Sequence, residues 1–167
     1  TGQMTFAGDG GAPFAVTASD KVANLNSDQL DGLDSSAFWQ LGGNVGTVPG
    51  THFVGTSDSQ PLHLGMNGET TLRLEAGRNI IGGHPDNTAL NAATAVTISG
   101  GGSASFINSV GGIAATIGGG WDNQIAHASW GTIAGGNGNR IEDFANFSTV
   151  AGGNGNRVET GVSQAFI

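Results

Sequence analysis

Four histidines, thirteen carboxylates and no cysteine are the groups of this 167-residue chain with the means to bind ions or move protons. Asp28, Asp31 and Asp34 make a D-x-x-D-G-x-D cluster. Its spacing misses the helix-loop-helix calcium loop, and the residues suit turn caps. GGNGNRI at 135–141 invites comparison with the nonapeptide calcium roll, but Asn139 and Asn156 stand where that roll needs carboxylates. His52, His63, His84 and His127 share no short ligand spacing, so a single chain offers them no common metal. His63 repeated about a threefold axis would supply three ligands. Glu142, Asp143 and Glu159 have the chemistry of a paired-carboxylate hydrolase, although acidic residues at coil edges ordinarily serve as solubilising charge. There is no G-x-S-x-G elbow and no phosphate-binding glycine loop. The chain reads as non-enzymatic, with no catalytic residue, cofactor or metal assigned.

The elements that carry these groups follow from an unusual composition. Glycine supplies 31 residues, and Lys, Arg, Asp and Glu together only 11%. Helix formers are scarce and sites tolerant of positive φ abundant, so something thin, repeated or oligomeric must replace a thick core. A net charge of -8 removes nucleic acid as a partner, since displacing counterions from phosphate needs a basic face. No apolar run is long enough to cross a bilayer, so no direct membrane insertion is expected. The start at Thr1 and the end at Ile167, in mid-repeat, suggest a piece of a longer protein.

The repeat dominates the second half. ATIGGGWDNQI (115–125), GTIAGGNGNRI (131–141) and STVAGGNGNRV (148–158) share one frame, extended backwards to Thr97-Ile98 and Ile80-Ile81 and forwards to Ile167. The steps are 17, 19, 16, 17 and 17 residues. A second apolar residue lies eight positions after the first, pairing Ile98 with Phe106, Ile117 with Ile125, Ile133 with Ile141 and Val150 with Val158. Two short β segments per coil, joined by a Gly-Gly-x-x-Asn turn, would stack these eight residues into two inward columns about 4.8 Å apart per step. A parallel β-solenoid core follows, because a helical repeat would space its apolar residues at three and four. Asn87, Asn123, Asn139 and Asn156 sit six places after the column residue and form an expected asparagine ladder. The aligned Thr97, Thr116, Thr132 and Thr149 suit hydroxyl ladders better than an ice-binding array, because Trp130 and Phe147 would interrupt a flat face. Those two rings stand three residues before a core position, point outward and call for a partner.

The first half is less regular. Val22, Leu25, Leu30, Leu33, Phe38 and Trp39 follow no helical or strand period, so burial between chains is expected, with Leu30, Leu33, Phe38 and Trp39 meeting near an axis. Trp130 and Phe147 add to that interface. Around Asn67-Gly68, PLHLGM and TTLRLEA form a hairpin. A three-residue loop including Glu69 pairs Leu64 with Leu72 and Leu62 with Leu74 and keeps all four on one face. The expected organisation is an irregular trimerising lead at 1–50, a small hairpin unit at 51–79 and solenoid repeats at 80–167, truncated at the C-terminus.

The run SDQLDGLDSSAFWQLGGNVGTVPGTHFVGT, the hairpin PLHLGMNGETTLRLE and the [ST]-[IV]-x-G-G-N-x-N coils together resemble bacterial surface and phage-tail-like fibre proteins. The repeats are similar to the heads of trimeric autotransporter adhesins. The resemblance implies an all-β fibrous parallel homotrimer with a left-handed β-roll, located extracellularly on a bacterial surface or phage-tail-like particle. It implies a spacer and attachment role toward a host-surface glycan or protein receptor. The rival reading is a polysaccharide-degrading tailspike.

Overall fold

The computed structural model describes residues 38–90 and 92–167, and the backbone of two short strands before them. The chain divides into two compact units, Thr1–Phe53 and Val54–Ile167. In the first, β1 (Gln29–Leu30) and β2 (Leu33–Asp34) pair antiparallel, with Leu30 opposite Leu33. Residues 38–53 run through turns held by local bonds, such as the Val48 N–H donating to Nδ1 of His52 at 2.9 Å. Val22, Leu25, Asp28 and Asp31 lie outside the described residues.

The second unit begins with a hairpin of β3 (Leu62–Met66) and β4 (Glu69–Glu75). The turn is two residues, Asn67 at φ 55° and Gly68 at φ 81°, as Asn-Gly favours. This corrects the three-residue loop. The expected pairs Leu62 with Leu74 and Leu64 with Leu72 nevertheless form, because a register shift beside Leu64 leaves Thr71 unpaired. A tight turn and an unbroken leucine face conflict by one residue, and the bulge absorbs it.

The rest is a parallel β-solenoid of about five turns, and the described residues contain no helix. One sheet runs through β5 (Asn79–Gly82), β7 (Thr97–Ile98), β9 (Thr116–Ile117), β11 (Thr132–Ile133) and β13 (Thr149–Val150). The other runs through β6 (Thr88–Ala89), β8 (Ser109–Val110), β10 (Gln124–Ile125), β12 (Arg140–Ile141) and β14 (Arg157–Val158). β4 pairs antiparallel with β5, so the hairpin is continuous with the first sheet and makes it seven-stranded, not a unit of its own.

Ile81, Ile98, Ile117, Ile133 and Val150 stack in one buried column and Val110, Ile125, Ile141 and Val158 in the other. Phe106 requires a correction: it is half exposed, and Val110 takes its place in the second column, paired with Ile125. That coil carries extra residues between its strands, so the offset is twelve rather than eight. Coils approach so closely at the turns that a Cβ on Gly120 or Gly136 would lie about 2 Å from the carbonyl oxygen of the next coil. Both glycines also hold positive φ, which is why the turn demands Gly at that position.

Arg73 closes the first coil. It is paired with Ile81 and so belongs to the inward face, where its guanidinium donates to the carbonyls of Pro85 and Asn87 and to Glu75. Without a preceding coil those carbonyls would have no partner, and the arginine occupies the edge that stacking would otherwise cover.

Candidate functional site

The asparagine ladder is internal. Oδ1 of Asn123 accepts from the Asn139 N–H at 3.1 Å, and Oδ1 of Asn139 from the Asn156 N–H at 3.0 Å. Nδ2 of Asn139 donates to Gly135 in its own coil and to Gly153 in the next. Asn87 begins the ladder, and Asn108, which the eight-residue offset conceals, is its second rung: its N–H donates to Asn87 and its Oδ1 accepts from Asn123. A signal for it existed. Each ladder Asn stands two residues before the apolar residue of the second sheet, and Asn108-Ser109-Val110 fits that text as Asn139-Arg140-Ile141 does. All hydrogen-bonding capacity here is directed inward, and the ladder's chemistry is structural.

The titratable groups occupy separate places. His63 lies beside the Thr70 hydroxyl, His84 beside Asp86, and His127 beside Asp143 on neighbouring coils at 2.9 Å. No group of three or more metal-ligating side chains comes together among the described residues. Asp143 accepts from the His127 backbone N–H and from its ring, and these bonds hold its carboxyl below the usual range. An acid catalyst needs the opposite shift. Glu142 lies between Arg140 at 3.3 Å and Arg157 at 3.0 Å, and Arg157 also meets Glu159 at 3.5 Å. Glu142 and Glu159 are thus engaged with arginines beside the five-stranded sheet, and Asp143 with His127 at a turn. A shallow groove of about 340 Å³ between residues 54–60 and Leu74–Ala76 lies elsewhere in this unit.

Three sets of surface positions are apolar. Trp130 and Phe147 are both half exposed and stack with centroids 4.7 Å apart and planes 1° from parallel. They belong to a column with Ala95, Ala114 and Gln164 in which every residue has φ between 52° and 61°. Backbone bonds fix the turn: the Trp130 N–H reaches Ile113 and the Phe147 N–H reaches Ser129. The rings point outward because the corner is left-handed, a conformation costing roughly 1–2 kcal/mol for a residue with a side chain. The second set is the outer face of the seven-stranded sheet, where Leu62, Leu64, Leu72, Leu74 and Ile80 continue into Thr97, Thr116, Thr132 and Thr149. The third is Phe38 and Trp39 in the first unit, both exposed. The other interface candidates, Leu30 and Leu33, are backbone register partners in the β1–β2 pair.

Comparison with protein-family models, curated protein sequences and solved structures returns no match.

Proposed function

We propose that this chain is a structural and adhesive module of a parallel homotrimer, a rigid spacer and attachment surface on a bacterial surface or phage-tail-like particle outside the cell. The observation that carries the reading is the outer face of the seven-stranded sheet. Its leucine, isoleucine and threonine rows hold no charge, yet Leu64, Leu74 and Ile80 are exposed on it. The opposite sheet carries Arg140, Glu142, Arg157 and Glu159. In a parallel assembly equivalent residues meet at equal height, so a charged row would face its own sign, and the neutral face is the one suited to self-packing. The strained Trp130–Phe147 corner adds apolar area that stays half exposed among the described residues.

Light scattering on the purified chain tests the reading: a trimer is expected at micromolar concentration, and Leu64→Lys with Leu74→Lys should yield monomers that keep their β spectrum. A folded wild-type monomer overturns it. A polysaccharide-degrading enzyme would instead release reducing ends from a bacterial polysaccharide and lose that activity on Glu142→Gln.

A further inference from the structure

We infer that the turn rim leading from the seven-stranded to the five-stranded sheet is a binding site for a neutral oligosaccharide. The inference rests on the attachment reading above and specifies its ligand class and residues. Phe106, Trp121, Asn137 and Asn154 each stand two residues before a ladder asparagine, on successive coils. Trp121, Asn137 and Asn154 are joined by parallel bridges. The carbonyl of each of the first three accepts from the residue after the next member: Phe106 from Asp122, Trp121 from Gly138 and Asn137 from Gly155. The four therefore form one row along the axis, stepping by about 4.8 Å.

The row differs from the others in what its side chains do. Phe106 is 50% and Trp121 54% exposed, and the two rings are not stacked on each other, whereas Trp130 and Phe147 cover each other's faces. Within the described residues the Asn137 and Asn154 carboxamides enter no hydrogen bond, although both residues are exposed and their backbones are fixed. Two rows of asparagine thus run side by side: the carboxamides of the inner one are bonded from coil to coil, and those of the outer one are free among the described residues. Open aromatic faces followed by rigidly spaced amides match the alternating apolar faces and hydroxyl edges of a pyranose chain. The amides donate to and accept from hydroxyls, and the preorganised backbone avoids the ordering cost of a loop. Asp122, the charge adjoining Trp121 in the chain, together with the net charge of -8, disfavours anionic sugars. Trp130 and Phe147 lie in the connections running the other way, from the five-stranded sheet back to the seven-stranded one, so covering that corner leaves this rim open.

Calorimetric titration of the full chain with maltohexaose, chitohexaose and a sulfated heparin hexasaccharide tests the site, alongside indole N–H shifts in heteronuclear NMR. At least one neutral hexasaccharide should bind and shift the Trp121 indole while leaving those of Trp39 and Trp130 in place. Trp121→Ala, and separately Asn137→Ala with Asn154→Ala, should each weaken binding at least tenfold with unchanged melting temperature. Failure of both neutral sugars at millimolar concentration, preference for the sulfated one, or binding that survives Trp121→Ala overturns the inference. Light scattering on the same samples separates the two readings: a trimer that binds no sugar sinks the rim alone, and a sugar-binding monomer sinks the trimer alone.

Discussion

Asp143 shows how an exposed carboxylate records its neighbours. Its largest stabilising influence is the His127 backbone N–H and its second the His127 ring, so removing the ring should undo only part of the effect. In a carbon-detected NMR titration, Asp143 should titrate below the usual carboxylate value of about 3.9. His127→Ala should move it part of the way back. Because its folded value is depressed, the contribution to stability is present above the unfolded value and lost as pH falls through the folded one. Full return to the unperturbed value in His127→Ala would show that the ring, not the backbone, dominates. The inner asparagines behave differently, being buried with their polar atoms committed. Asn139→Ala strands the Asn156 N–H and the Gly135 carbonyl, whereas the Gly153 carbonyl keeps the Asn137 N–H. At about 1–3 kcal/mol for each unsatisfied group, a loss of at least about 2 kcal/mol is expected in urea unfolding. Asn137→Ala, one row out, should cost under about 0.5 kcal/mol. Equal losses would contradict the distinction between the two rows.

At the scale of elements, the cap and the coils ask for separate tests. Arg73→Met keeps the aliphatic stem but leaves the Pro85 and Asn87 carbonyls without their donor. Hydrogen exchange should then quicken in Asn79–Gly82 and Thr88–Ala89 before it changes in Arg140–Ile141, with a global loss of about 1.5–3 kcal/mol for the charge-assisted bonds. Uniform acceleration along the solenoid would mean that the arginine does not act as an end cap. Much of this architecture was legible because stacking forces like residues to equal offsets. Ile117, Ile133 and Val150 announce one column, and Ile125, Ile141 and Val158 the other. What escaped was local: in the long coil, counting forward from Ile98 arrives at Phe106, whereas counting back from the Asn-x-apolar ending arrives at Val110. The hairpin's bulge escapes a reading from alternation because strict alternation forces a choice between a two-residue Asn-Gly turn and a single leucine face, whereas one unpaired residue satisfies both. The outer aromatic and amide row was hidden for a further reason. Asn137 and Asn139 are the same residue two places apart, and only the coil geometry reveals which one is spent.

For the molecule as a whole, the exposed rings of the first unit and of the solenoid corner make competing claims, beside the leucine face, on the proposed assembly. If the first unit supplies most of the association energy of the proposed trimer, Leu33→Ser with Trp39→Ser should dissociate it at concentrations where Trp130→Ala with Phe147→Ala does not. Each fully buried side chain of this size contributes roughly 1.5–3 kcal/mol, repeated at each symmetry-related position. Sedimentation of the two double variants over a dilution series decides the order, and the reverse order would assign assembly to the solenoid. The coil period itself carries a last consequence. A turn uses 16 to 19 residues to advance about 4.8 Å, where the same length of α-helix would advance about 25 Å. Measured as reach per residue, this is one of the shortest ways to build. What the chain gains is girth, and because resistance to bending rises steeply with thickness, a stack of such coils holds its side chains on a bar that scarcely flexes. In the proposed spacer, length per residue is thus given up for stiffness, and whatever the coils display is kept at a fixed angle.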